Sequence, residues 1–366
     1  MANRSIDKVF LATVIFLMLG GFFIFMSASL GLLARQGPQF GATAFNQAFF
    51  GLFLGSIALA VFSKIEYLFW KKYAIHIFAL SIIATALVFV PALGFTHGGA
   101  RRWLDLGFVT FQPSEFLKFG VVLYLAAWFS SVKYKVNSVK WGLLPLLVVI
   151  GIAGLLLLLQ PDMDTFLVIS VASVSMFFVA GGKWRHMLAL FGIAAIGFTL
   201  IVFSKPYLME RVLTFVDPSR DPSGAGWQIQ QSLIAVGSGE MFGKGFGQSI
   251  QKFKFLPEPI GDSIFAVAAE EFGFVGGMVI IVAFILFLLR GLSIARRAPD
   301  TFSGLLVSGI VIMIVFQSLI NIAAIIGVFP LSGLPLPFIS HGGTALLFAL
   351  IEVGIVLNIS RYKRNI

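Results

Sequence analysis

Apolar runs of 15 to 28 residues, split by short polar or basic links, follow one another along most of this chain. A helix needs roughly 20 apolar residues to cross the hydrocarbon core of a bilayer. Ten stretches fit that requirement in length and character: Val9–Leu33, Ala48–Phe62, Tyr73–Pro91, Ser114–Phe129, Trp141–Leu159, Thr165–Ala180, Met187–Phe203, Asp262–Leu289, Phe302–Ile326 and Gly342–Ser360. The pattern predicts an all-α polytopic membrane protein of ten transmembrane helices. One long polar segment, 204–261, joins the seventh and eighth. The first run is too long for a cleavable signal and reads as the first span.

Composition sharpens this reading. Hydrophobic residues make up 58% of the 366 positions and charged residues only 11%, against about 25% charged in soluble domains. There is no cysteine, which excludes disulfides and thiolate metal sites. Four scattered histidines argue against zinc or haem. The net charge of +10 lies in short clusters between apolar runs, a pattern of membrane topology rather than of nucleic-acid binding.

Those clusters set an orientation. Arg4, Lys8, Lys64, Lys71, Lys72, Lys133, Lys135, Lys140, Lys183, Arg185, Arg290, Arg296, Arg297, Arg361, Lys363 and Arg364 would share one side, with Arg35, Arg101 and Arg102 alone on the short links opposite. Basic residues accumulate on cytoplasmic loops. Both termini are therefore expected in the cytoplasm and the long loop outside.

Four polar constellations fall on the outer face. In Gly98-Gly99-Ala100-Arg101-Arg102-Trp103-Leu104-Asp105, two adjacent guanidiniums suit fork-shaped recognition of phosphate or carboxylate. Contact with lipid headgroups is the plainer alternative. Gln112-Pro113-Ser114-Glu115 opens the fourth span, with Glu115 and Lys118 three apart on one helix face. Each would cost roughly 2.5–3.5 kcal/mol alone at the bilayer centre. Gln160-Pro161-Asp162-Met163-Asp164 offers Asp164 as a cap for the sixth helix. Less favoured, Asp162 and Asp164 supply oxygens to Mg²⁺ or Mn²⁺. The long loop carries Lys252, a surface-lying helix around Trp227, a stretch rich in glycine from Gly237 to Gly247 that reads as pliable, and Leu256-Pro257-Glu258 before Asp262. No Gly-Lys-Ser/Thr follows phosphate-loop spacing, so no nucleotide is expected.

Asp262 stands at the mouth of the eighth helix. As an N-cap it would only start that helix. The helix dipole favours its ionised form by under about 1 kcal/mol, which suits a general base. Glu270 and Glu271 are adjacent and cannot share a helix face, so at least one needs a partner or a cavity. The segment from Phe329 to Gly343 holds three prolines, at 330, 335 and 337. Irregular backbone this apolar must be buried in protein or line a cavity.

In order along the chain, Gly-Ala100-Arg101-Arg102-Trp103, Gln112-Pro113-Ser114-Glu115, Gln160-Pro161-Asp162, Gln231-Ser232, Leu256-Pro257-Glu258, Asp262, Glu270-Glu271-Phe272-Gly273, Asn321 and Gly333-Leu334-Pro335-Leu336-Pro337-Phe338-Ile339-Ser340 resemble the SEDS family (shape, elongation, division and sporulation), the FtsW/RodA-type peptidoglycan polymerases. The resemblance covers residues 1–366 as a single membrane domain. It implies an inverting glycosyltransferase in the bacterial cytoplasmic membrane, transferring the disaccharide of lipid II and releasing undecaprenyl diphosphate, with its site on the extracytoplasmic face. Asp262 matches the family's catalytic aspartate. Arg101, Arg102, Glu115, Lys118, Gln160, Lys252, Glu258 and Ser340 are carried as substrate-binding candidates. A class B penicillin-binding protein and other divisome or elongasome membrane proteins are the implied partners. The double arginine leans towards the division-type branch. A lipid II flippase and a non-enzymatic scaffold for a transpeptidase are the alternatives. The chain departs from the family where Pro259-Ile260-Gly261 replaces the usual x-His-Thr before the aspartate, and where His341 stands in place of a common Tyr.

Overall fold

A computed structural model describes residues 5–35, 47–97, 100–105, 107 and 110–362. Arg4, Gly98, Gly99, Lys363 and Arg364 of the motifs above lie outside the described residues.

Each predicted apolar run is helical. The bundle helices are α1 (Lys8–Arg35), α2 (Gln47–Phe62, opening in a π-turn), α3 (Tyr67–Leu87), α4 (Pro113–Ser131), α5 (Val139–Leu159), α6 (Met163–Val179) and α7 (Trp184–Ser204). In the long loop lie α8 (Pro206–Val216), α9 (Ala225–Ser238) and the single turn α10 (Gln251–Lys254). The bundle closes with α11 (Ile264–Arg296), α12 (Thr301–Ile325) and α13 (Gly343–Ser360). Seven of these are long and apolar enough to cross a membrane: α1, α3, α5, α7, α11, α12 and α13. The starts follow local chemistry. Pro113 sits in the first turn of α4, where its missing N–H costs nothing. Asp300 and Ser303 form a reciprocal capping box at α12.

α12 is the axis of the body. Its apolar window is 83% buried, against 11% for α7, so α12 faces protein and α7 faces its surroundings. α12 packs on α4, α6 and α11; α3 packs on α4, α2 on α13, and α1 on α11.

Two expectations and one alternative are corrected. The chain is mostly but not wholly helical: Gly94–His97, Ala100–Asp105 and Thr110–Phe111 form a three-stranded antiparallel sheet, β1-β2-β3. The double arginine thus sits on a strand, where neighbouring side chains point to opposite faces. Asp162, not Asp164, caps α6, its Oδ1 accepting from the Thr165 N–H at 3.3 Å. Asp262 is not the cap of α11; Ser263 precedes that helix and makes no side-chain cap bond.

The glycine-rich stretch is not pliable. α11 breaks at Gly273, whose φ is 68°, a left-handed conformation that favours glycine. The break leaves backbone groups of α11 unpaired within the helix, and the stretch supplies partners. Lys244 and Gly245 donate N–H to the carbonyls of Glu270 and Glu271, both at 3.0 Å. Phe274 and Val275 donate to Glu240 and Met241 at 2.8 and 3.1 Å. A Cβ on Gly243 would overlap the Glu271 carbonyl oxygen. Close backbone approach, rather than flexibility, is what the glycine at 243 provides.

Candidate active site

At the loop end of the bundle a cavity of about 690 Å³ opens between β2, the N-terminus of α6, the turn before α11 and the irregular segment before α13. Arg102, Asp162, Asp262 and His341 line it with polar groups; Leu54, Phe95, Phe111 and Leu347 give it apolar walls.

Asp262 lies on the Glu258–Ser263 turn, where Gly261 and Ser263 donate N–H to the Glu258 carbonyl at 3.0 and 3.3 Å. The turn is gripped from three sides. Asn321 of α12 donates its amide to the Asp262 carbonyl at 2.8 Å. Ser340 donates its hydroxyl to the Gly261 carbonyl at 2.7 Å, and His341 donates its N–H to the Ile260 carbonyl at 2.7 Å. Gln228 of α9 reaches the Ser263 hydroxyl at 3.0 Å. The backbone of Ile260 and Gly261 therefore holds the turn without the family's His-Thr pair. The Asp262 side chain is half-buried, deep in the molecule but open to the cavity. Burial pushes its carboxyl up to about 6, helped by the charges of Glu258 and Asp164. A carboxylate of that strength is still mostly ionised at neutral pH and is a stronger base than an exposed one.

Across the cavity, Arg102 donates from Nε to the Gln160 carbonyl at 3.3 Å and from Nη2 to the Pro161 carbonyl. This anchors β2 to the α5–α6 corner and presents a fixed positive charge. Gln160 is buried and holds the Thr85 carbonyl at 2.8 Å. Asp162 is 3% exposed with Oδ2 unpartnered, and burial raises its carboxyl above the ordinary range. Burial also lowers His341, which keeps its imidazole neutral.

A family described as "Cell cycle protein", FtsW, RodA and SpoVE, matches residues 7–365. The chain belongs to this family. Stage V sporulation protein E of Bacillus subtilis (strain 168) is 39% identical over 311 residues, 85% of each chain. A probable peptidoglycan glycosyltransferase FtsW of Geobacter sp. (strain M18) is 35% identical over 359 residues, 98% of each. Among solved structures, a chain described under "Structural coordination of polymerization and crosslinking by a peptidoglycan synthase complex" superposes with a TM-score of 0.80 at 30% identity, covering 97% of this chain and 98% of that one. Rod shape determining protein RodA of Thermus thermophilus superposes with a TM-score of 0.67 at 27% identity, covering 97% of each. Membership and the apolar helices together make this FtsW/RodA/SpoVE-family chain a multi-pass membrane protein.

The other residues singled out from the sequence scatter around the cavity rather than all lining it. Arg101 packs towards Gly94 of β1, and Arg102 alone of the pair lines the cavity. Glu115 and Lys118 pair at 2.9 Å, each nearly buried, in a separate hollow of about 20 Å³ shared with Gln317, Pro337 and Glu352. Lys252 is fully buried and bonds Glu271 at 2.6 Å and Ser27 at 2.9 Å. It ties the loop to α1 and α11 and does not line the cavity. Glu270 takes its own lysine, Lys244, at 2.7 Å. Glu258 and Ser340 shape the Asp262 turn.

The Asp162–Asp164 pair does not fit a resident cation. Asp164 Oδ2 already accepts from Arg211 at 3.0 Å and from the Gly333 N–H at 3.1 Å. Among the described residues no group of three or more His, Asp or Glu side chains is gathered for a metal. Gln317 is not singled out by the sequence, and Asn321 and His341 enter it only as family-motif positions with no role attached. Their importance lies in backbone carbonyls contributed by distant segments, which no local spacing announces.

Proposed function

We propose that this chain is a peptidoglycan glycan-strand polymerase with Asp262 as general base. The observation that carries the reading is a half-buried carboxylate on a backbone-clamped turn, facing an arginine across a cavity with both polar and apolar walls. Family membership agrees with it, because relatives are named peptidoglycan glycosyltransferases.

The chemistry follows from the two charges. Asp262 takes the proton of the 4-hydroxyl of the acceptor N-acetylglucosamine. That oxygen bonds to the anomeric carbon of the donor sugar. The bond from that carbon to the phosphate oxygen breaks, and its electron pair leaves with undecaprenyl diphosphate. Arg102 meets the departing charge, since a guanidinium binds phosphate oxygens in a fork. Leu54, Phe95, Phe111 and Leu347 receive the prenyl end nearest the diphosphate. One base and one direct displacement invert the anomeric centre and give a β-1,4 linkage. A divalent cation enters this scheme only as a counter-ion of the diphosphate, and no step depends on it.

The same reading places ten spans in the membrane, both termini in the cytoplasm and the cavity on the extracytoplasmic face, as the basic residues predict. The partner is a class B penicillin-binding protein. Similarity to a chain of a complex that couples polymerization and crosslinking supports that choice. Identities of 39% to a stage V sporulation protein E and 35–37% to relatives named FtsW, against 27% to a RodA structure, support a division- or sporulation-type role over an elongation-type one.

The experiment is polymerisation in proteoliposomes given fluorescent lipid II in the outer leaflet only. Glycan made from that leaflet is the predicted product. Substrate carried across the bilayer without glycan would point to a flippase instead.

A further inference from the structure

Two amides on α12 have carbonyl partners in one irregular segment. Gln317 donates Nε2 to the Pro335 carbonyl at 2.9 Å. Asn321, one turn along, donates Nδ2 to the Leu334 carbonyl and to the Asp262 carbonyl, both at 2.8 Å. Residues four apart lie on one helix face, so α12 presents both amides to the same strip of backbone. Pro335 and Pro337 have no N–H, so the carbonyls around them find few donors within their own segment. Buried carbonyls need such donors. Asn321 then links this segment directly to the Asp262 turn, and Ser340 makes a second link, accepting from the Leu336 N–H at 2.8 Å while donating to Gly261.

The orientation of Gln317 is set from behind. A side-chain amide has one accepting end and one donating end. Lys118 only donates, and its Nζ lies 2.6 Å from Gln317 Oε1. The accepting end is thereby taken by lysine, and the donating end must face Pro335. Glu115 fixes that lysine at 2.9 Å. All four side chains are buried or nearly so.

We propose that Glu115, Lys118, Gln317 and Asn321 are positioning residues for Asp262, acting through the Leu334–Ser340 segment, and that Lys118 sets the direction of the Gln317 amide rather than binding substrate. The proposal rests on Asp262 being the base. Lys118 and Gln317 lie outside the lining of the main cavity, while Leu334 and Pro335, which Asn321 and Gln317 hold, line it beside Asp262, so the network acts on the cavity wall and the aspartate through backbone rather than by touching substrate.

The test uses full-length protein in detergent or nanodiscs, with initial rates of lipid II polymerisation over a range of substrate concentration. Gln317→Glu keeps size and keeps a partner for Lys118, but an ionised carboxylate cannot donate to Pro335. Its kcat is expected to fall about 10- to 100-fold, the effect of misplacing a catalytic group by about an ångström, with KM within about twofold of wild type. The double variant Glu115→Gln/Lys118→Met, which removes both charges together, should show the same split. Thermal unfolding of each variant accompanies the kinetics. A wild-type kcat in folded Gln317→Glu overturns the proposal. So does a raised KM at unchanged kcat, which would place these residues on substrate. Asp262→Asn is run alongside: full activity there would remove the base itself, and is distinguishable from failure of the positioning network alone.

Discussion

Two irregular segments meet at Asp262, and they are fastened by different chemistry. The body of the 205–263 loop is held by charge, Lys244 to Glu270, Lys252 to Glu271 and Arg211 to Asp164, and only its last turn is taken by neutral donors. The 329–342 segment is held mostly by neutral groups: the amides of Gln317 and Asn321, the hydroxyl of Ser340, and Gln47 of α2, whose amide meets both Ser340 and Gly342 backbone at 3.2 and 3.3 Å; the Asp164 carboxylate on Gly333 is the charged exception. Ion pairs tolerate some angular freedom. Hydrogen bonds to carbonyls fix direction. The loop is thus clamped to the body, while the segment beside Asp262 is set in place by directional bonds.

The largest way to break this contrast is Lys252→Met. It strands Glu271 as an unpaired charge with 0% of its side chain exposed, and removing one partner of a buried pair costs about 3–5 kcal/mol. A marked fall in the thermal midpoint is expected. Pairing it with Glu271→Leu should restore most of the loss, because both charges then leave together. On the neutral side, Ser340→Ala removes two bonds and leaves the buried Leu336 N–H without its acceptor. A cost of about 1–3 kcal/mol follows, and because the Gly261 carbonyl is also released, kcat should drop further than stability alone explains. Steady-state kinetics beside calorimetry separates the two.

Acid probes the same region. Burial pushes Asp262 up to about 6, and the ionised form is the one that acts as base in the proposed mechanism. Activity should therefore be flat above that pH and fall by about tenfold per unit below it, read from kcat/KM between pH 4.5 and 8. The smallest effect belongs to Arg211→Ala. That pair is partly exposed, 30% at the arginine, and such pairs contribute under about 1 kcal/mol. Its effect should shrink further in high salt, unlike that of Lys252→Met.

The same division explains how far the sequence could be read. Apolar runs announce helices because burial in lipid demands internal backbone pairing, and all ten runs became helices. Asp262 stood out in the sequence because a carboxylate beside a long apolar run is expensive without a purpose, and it lies in the wall of the cavity. The clamp was not legible. Whether Lys252 meets substrate or Glu271 depends on how the loop folds over α11, and Lys252 reads the same in either case. The break at Gly273 is satisfied by Glu240 and Met241, some thirty residues away, so nothing near Gly273 reports it. The sheet was missed because its strands have four, six and two residues, too short for an alternating pattern to stand out. Asp162 took the cap expected of Asp164 because Arg211, from another segment, claims Asp164.

Asp262 carries the whole account, and one substitution tests it most directly. Purified wild type and Asp262→Asn, matched for thermal midpoint, are given labelled lipid II and the glycan product is measured. The asparagine form, with nearly the same shape but no base, is expected to lose polymerisation by about 10²–10⁴-fold. Undiminished glycan from folded Asp262→Asn would contradict it.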